Sequence, residues 1–357
     1  MTLEASTTAA LVTRISFADA LARTAHQKRH LLLGNGFSIG AHPAFGYPSL
    51  HTAATTRDPT LLDLFPPGDT NFEAALRACN RRPKDAARLR EALVRAVAAV
   101  HPETSLSLPE EQCLSCRDFL EHFVGRHREP HGTVFTTNYD MLLHWVLSRQ
   151  GKNAGTKQRS QLKCWDGFAA DGEWNSFAQA DAYYLHGAVH IYQVPEPHFP
   201  SRSYTRMLRY QFGRPLLKQV DEQLRSGNLP VFVAEGVSGA KKAAQNQRHY
   251  LAGVKWRFRR ICGHEADALF TFGHSFGASD EHIVEEIGAG AIKQVYIGTF
   301  SNQDEQRANQ LASTWSARRA TEGKPPITVR CFDSRECQVW DRKRSREDSG
   351  KGFDGGK

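Results

Sequence analysis

The chain of 357 residues, 40% of them hydrophobic, has no apolar run near the ~18 residues that a bilayer crossing needs, so no membrane span is expected. Its 7 cysteines are scattered and odd in number, which excludes a disulfide framework and points to reduced thiols. Met1 to Thr13 lacks a basic start, an apolar stretch and a small-residue cleavage site. No secretory signal is read there, and a cytoplasmic location is expected. Repeats of solenoid period are also missing. What is present is a basic balance, with 46 Lys and Arg against 38 Asp and Glu, a net +8. The tail from Asp341 to Lys357 carries six basic and four acidic residues, so a charge of +6 belongs to the body. An anionic ligand such as a nucleotide or nucleic acid fits that excess, and so does plain solubility.

Short apolar runs read as buried strands: Leu31 to Leu33, Thr133 to Thr136, Ala182 to Leu185, Val231 to Ala234, Ala268 to Phe272, Val295 to Thr299 and Ile327 to Phe332. Few alternate polar with apolar, as expected of strands covered on both faces. Between them lie helical patterns, of which Lys84 to Val100 is the clearest, with Ala86, Leu89, Leu93, Val97 and Val100 on one face. Strands separated by helices predict an α/β fold, a Rossmann-like parallel sheet with helices on both faces. A smaller helical insertion is expected over residues 49–128, between two parts of the main domain, 1–48 and 129–340. Lys152 to Trp174 and Pro195 to Tyr204 read as loops. Residues 341–357 bury too little apolar surface to fold and read as a disordered tail.

The strand ends carry the informative residues. Leu31 to Leu33 runs into Gly34-Asn35-Gly36-Phe37-Ser38, where glycines let backbone N–H groups approach a phosphate or make a tight turn. Phe135-Thr136 is followed by Thr137-Asn138-Tyr139-Asp140, and Asn138 and Asp140 can reach a ligand or cap the next helix. Tyr183-Tyr184-Leu185 closes on His186-Gly187, placing a histidine suited to general-base work, or a structural one. Val233-Ala234-Glu235-Gly236, Gly273-His274-Ser275 and, after Thr299, Ser301-Asn302 repeat the pattern. Six strand ends of small and polar character describe one rim.

In this order the set Gly34 to Ser38, Thr136 to Asp140, Leu185-His186-Gly187 and Gly273-His274-Ser275 resembles the sirtuin-like (SIR2-like) NAD-binding superfamily. The stretches around Val233 to Gly236 and Gly273 to Phe276, with Asp280-Glu281-His282-Ile283, look closer still to the DUF4917 family. The likeness covers about Leu31 to Asn302. It departs from deacetylating sirtuins at Cys113 and Cys116, one Cys-x-x-Cys pair without the second that a zinc ribbon requires. These read as ordinary thiols near a helix start, and no metal is expected. Ala41 to Tyr47 also lacks the sirtuin Gly-x-Pro-x-Phe-Arg pattern.

The resemblance implies NAD as substrate, with hydrolysis to nicotinamide and ADP-ribose, as in bacterial antiphage-defence effectors that lack the ribbon. It assigns Asn138, His186 and Asp140 to catalysis. Gly34, Asn35, Gly36, Phe37, Ser38, Thr137, Glu235, Gly273, His274, Ser275 and Asn302 are assigned to the dinucleotide. A homo-oligomer or an activating partner protein is expected with such an effector. A non-catalytic module sensing NAD or an ADP-ribose derivative stays open, as do deacylation and ADP-ribosyl transfer. Nucleic acid also stays open, through Lys255, Arg257, Arg259 and Arg260 with Trp256 and Phe258 interleaved. The plainer alternative there is an amphipathic helix from Tyr250 to Ile261 that buries Trp256 and exposes its charges.

Overall fold

A computed structural model describes residues 12–79, 81–125, 129–148, 162, 164–169, 171–196, 199–208, 214–232 and 249–341. The strands are β1 (Thr13–Arg14), β2 (Arg29–Leu33), β3 (Val134–Thr136), β4 (Ala182–Tyr184), β5 (Gly187–Glu196), β6 (Phe199–Met207), β7 (Pro230–Phe232), β8 (Ala268–Phe272), β9 (Gln294–Thr299) and β10 (Thr328–Asp333). Seven form one sheet in the order β1-β10-β9-β8-β2-β3-β4, and every neighbouring pair is parallel. All residues of β2, β3 and β4 are buried, the condition that a sheet covered by helices on both faces imposes. Removing the Leu31, Leu32 and Leu33 side chains from water contributes roughly 1.5–3 kcal/mol apiece.

Counted from β2 without the edge strand β1, the order is 3-2-1-4-5-6, the doubly wound arrangement whose crossovers reverse direction between its first and fourth strands. Here that reversal falls between β2 and β8. The predicted α/β class and parallel sheet are observed.

The second sheet is antiparallel, in the order β6-β5-β7. It corrects two expectations. Pro195 to Tyr204 is mostly strand rather than loop, because β5 runs on through Glu196 and β6 folds back along it. The run at Val231 is not a seventh parallel strand; β7 ends at Phe232 and pairs with Gly187 on β5. Gly187 has φ +74°, and a Cβ there would lie 1.7 Å from the Val231 carbonyl oxygen, so the crossing of the two chains requires glycine.

Between β2 and β3 the helices Tyr47–Arg57, Phe72–Ala78, Pro83–Val100 and Glu110–Glu121 follow one another. Leu50, Phe72, Leu89 and Phe119 join the same hydrophobic cluster as the sheet. The helix His249–Cys262 buries Tyr250, Leu251, Val254, Phe258 and Cys262. Trp256 is 56% exposed, contrary to expectation, because two residues past Val254 on a helix is about 200° away, the opposite face. All seven cysteines are free. No helix among the described residues is long and apolar enough to cross a membrane. The expectations for the tail beyond Asp341, for most of Lys152 to Lys163 and for Glu235 lie outside the described residues.

Candidate active site at the carboxyl edge of the sheet

One row of paired residues, Tyr184, Thr136, Leu33 and Phe272, crosses four neighbouring strands. The candidate segments begin immediately beyond it. At about 4.8 Å per strand, the four ends span roughly 14 Å, within reach of one dinucleotide.

At the reversal point the two glycine turns interlock. Gly34 N–H donates to the Phe272 carbonyl at 3.0 Å and Gly36 N–H to that of Gly273 at 2.8 Å. A Cβ on Gly34 would sit 2.5 Å from His274 Cα, and one on Gly273, whose φ is +64°, would sit 2.5 Å from the Phe37 nitrogen. These glycines therefore serve backbone-to-backbone packing. The amide hydrogens of Gly34 and Gly36, expected to meet a phosphate, are used within the protein. Asn35 and Gly36 are half-buried, Phe37 is buried, and Ser275 is exposed.

Beside the turn lies a closed network. Asn138 Nδ2 donates to Ser38 Oγ at 2.8 Å, and Ser38 Oγ donates to Asp140 Oδ2 at 2.5 Å. Asp140 Oδ1 accepts from Leu142 N–H at 2.8 Å, capping the helix Leu142–Ser148. Both Asp140 oxygens, expected to act in catalysis, are thus engaged within the protein, one holding Ser38 and the other the start of the helix. Its burial raises its pKa above the usual carboxylate range, against the opposing pull of Ser38 and Leu142 N–H. Ser38, fully buried, is likewise turned inward. Thr137 N–H donates to Leu33 O at 3.0 Å and ties β3 to β2. Asn138 Oδ1 is the exception: it is buried and accepts no hydrogen bond among the described residues.

A second cluster gathers imidazoles. His186 Nε2 lies 3.1 Å from His282 Nε2 and 3.8 Å from Asp280 Oδ1. His274 Nδ1 accepts from Phe276 N–H at 3.0 Å, which puts its proton on Nε2, 3.9 Å from Asp280 Oδ2. His274 therefore lies in this cluster, beside Asp280. The Tyr139 ring centroid is 6.4 Å from that of His186, and its hydroxyl donates to the buried Glu73 at 3.4 Å. The Tyr47 phenol is pushed up by burial first, then by the negative charges of Glu73 and Asp280.

Asn138 and His186 each stand two residues beyond the Thr136–Tyr184 rung, just past the ends of the adjacent strands β3 and β4. Asn302 opens the helix Asn302–Thr321 after β9 and is exposed, while the capping is done by Ser301 with Asp304. Two hollows among the described residues, one lined by Tyr192, Arg206, Arg214 and Glu222 and one by Phe17, Phe119, His122 and Glu336, contain none of these side chains.

The family described as a domain of unknown function, DUF4917, matches residues 31–340, nearly all of this architecture. The chain belongs to the DUF4917 family. No curated protein matches it. Solved structures similar to it include sirtuins. One, from work on sirtuin substrate affinity, is 12% identical with a TM-score of 0.39, covering 80% of this chain and 88% of that one. A mutant Sir2 homologue in complex with 2′-O-acetyl ADP ribose is 14% identical with a TM-score of 0.36, covering 85% and 96%. Sir2Tm bound to a propionylated peptide is 12% identical with a TM-score of 0.40, covering 87% and 99%. Likeness at these scores carries no weight for activity.

Within this DUF4917 chain, sequence reasoning assigned no role to His282, Asp280, Glu73, Tyr47 or Tyr139. Asp280 and His282 are separated from His186 by more than 90 positions, and a helix-start Asp reads first as a cap. Only the pairing of strands brings them to it. Cys113 and Cys116 lie buried in the helix Glu110–Glu121, and burial holds the Cys116 thiol well above its ordinary pKa, so that thiol stays protonated.

Proposed function

We propose that this DUF4917 protein binds NAD at the carboxyl edge of its sheet and hydrolyses the nicotinamide–ribose bond. The observation that carries the reading is Asn138. Its amide is locked by Ser38, which leaves Oδ1 as an unfilled buried acceptor beside the strand that bears His186. An unsatisfied acceptor of this kind costs roughly 1–3 kcal/mol, a cost that a ribose hydroxyl or an attacking water would relieve. The reversal between β2 and β8 supports a nucleotide ligand, since doubly wound sheets bind their ligands there.

In the proposed reaction the C1′–N bond breaks and its electron pair leaves with neutral nicotinamide. A water oxygen bonds to C1′, and its proton passes to the His186–His282 pair. Asn138 orients the ribose or the water, with Asp140 and Ser38 as positioning residues. Because the Gly34, Gly36 and Phe37 amides are occupied, pyrophosphate contacts fall to Asn35 and exposed Ser275, with Gly273, Thr137 and Asn302 toward the remaining sugar and base. The same reading makes the protein a bacterial antiphage effector that is active only once assembled, as an oligomer or with a partner.

Chromatography of NAD incubated with monomeric and assembled protein tests this. Wild type should release ADP-ribose and nicotinamide, and Asn138→Ala and His186→Ala should each abolish release. Full turnover by both variants refutes the assignment. A sensing pocket without turnover is the second reading, favoured by the engagement of His186 Nε2 with His282. Tight NAD binding by calorimetry, with NAD unchanged over hours, would select it.

A further inference from the structure

His186, His282 and Asp280 form the one group among the described residues in which three His, Cys, Asp or Glu side chains can share an ion, with ligand atoms all within 4.8 Å of one another. We infer that these three side chains form a binding site for a divalent first-row transition ion, of which zinc is the natural representative.

Geometry carries the inference first. Zinc bonds imidazole nitrogen at about 2.0–2.1 Å, so two nitrogens on one tetrahedral ion lie roughly 3.3 Å apart. The two Nε2 atoms here are 3.1 Å apart, and Asp280 Oδ1 completes a third corner at 3.8 Å from His186. Two imidazoles and one carboxylate are a recurrent donor set for such ions, with a coordination position left for water or substrate.

The behaviour of Asp280 is an independent observation. It occupies the N-cap of the helix Glu281–Ala289, where aspartate ordinarily accepts from the first turn, yet its side chain makes no capping bond. The carboxylate turns instead between His186 and His274. The His274 tautomer set by Phe276 N–H directs Nε2–H toward Asp280, the outer-shell arrangement that orients a ligating carboxylate. Burial adds the charge argument. His186 and His282 are 1% and 3% exposed, and a doubly charged ion there needs nearby negative charge. Asp280 provides one, and the buried Glu73, hydrogen-bonded by Tyr139 whose ring lies 6.4 Å from that of His186, provides a second farther out.

The site shares His186 with the NAD reading but does not depend on it. An Nε2 that ligates zinc has no lone pair for a proton. The ion and the general-base role are therefore alternative states of one imidazole, and zinc should hold any NAD hydrolysis silent until it is withdrawn.

The test uses untagged full-length protein, stripped with chelator and exchanged into chelator-free buffer. Zinc alone is titrated by calorimetry, and zinc content is measured after desalting. One zinc per chain with micromolar or tighter affinity is expected. His282→Gln and Asp280→Asn should each weaken binding at least tenfold, while His264→Ala, an exposed histidine elsewhere, should leave it unchanged. Circular dichroism identifies any variant that fails to fold, and His186→Asn then stands in for it. No retained zinc in wild type, or unchanged affinity in folded His282→Gln, overturns the inference. NAD turnover is followed separately with chelator. Turnover without zinc binding removes only this inference, and zinc binding without turnover removes only the NAD reading.

Discussion

Replacing Ser38 with alanine removes one hydroxyl and strands two partners. While Asp140 is ionised, the Ser38 Oγ–Asp140 Oδ2 bond of 2.5 Å is of the charge-assisted kind, contributing about 1.5–3 kcal/mol. Asn138 Nδ2, left without its acceptor at 2.8 Å, adds roughly 1–3 kcal/mol of unrelieved desolvation. The two sum to about 2.5–6 kcal/mol, large for one atom in a buried site. The loss should also depend on pH. Burial already raises the Asp140 pKa and Ser38 opposes that rise, so removing the hydroxyl raises it further. A raised folded pKa means the folded state holds its proton longer than the unfolded chain, so stability falls as pH rises through that window. Ser38→Ala should therefore cost more at pH 7.5 than at pH 4.5. Asp140→Asn, which keeps an acceptor for Leu142 N–H and offers Ser38 a donor, should cost only about 1–2 kcal/mol. Urea titrations of wild type and both variants at the two pH values read this directly. A Ser38→Ala loss below about 1 kcal/mol, or one equal at both pH values, would refute the network as described.

Two further predictions concern the frame of the site. Gly273→Ala should destabilise by at least about 3 kcal/mol, because left-handed backbone costs an L-residue about 1–2 kcal/mol and the new Cβ meets Phe37 N at 2.5 Å. Gly227→Ala, with φ +75° and nothing within 4 Å, should show the backbone cost alone, and equal urea midpoints for the two variants would remove the interlocked turns from the account. His101, fully buried and accepting from Met141 N–H at 3.1 Å, has its pKa lowered by burial to about 3, below the ~6.5 of an unfolded histidine. Between those values the unfolded chain binds the extra proton, so stability should fall as pH drops from 6.5 toward 3, by up to about 4–5 kcal/mol. His101→Gln should flatten that slope by close to one proton, and an unchanged slope in acid-unfolding titrations would contradict it.

The strands that build the parallel sheet were legible because a strand buried on both faces is an unbroken apolar run, as at Leu31 to Leu33 and Ala268 to Phe272. Position at a strand end was enough to single out Asn138, His186 and Gly273, since the carboxyl edge of such a sheet is its binding side. Trp256 was misread because a mixed basic and aromatic stretch shows which residues are apolar without showing the phase of the helix against the core. The run at Val231 went to the wrong sheet because a short apolar run records burial and not the neighbour that supplies it.

Composition and local pattern by themselves determined the fold class, the absence of a disulfide framework and the rim on which the polar residues stand, since each follows from interactions among residues near in sequence. Tertiary structure alone decided what those residues do to one another. Asp140 could cap a helix or meet a ligand, and contacts with Ser38 and Leu142 N–H put both its oxygens to internal use. The glycines could open to a phosphate or close on a neighbour, and the side-by-side pairing of β2 with β8 closed them. His186 met His282 and Asp280 only because parallel strands distant in the chain end at one level, a long-range register that local spacing does not encode.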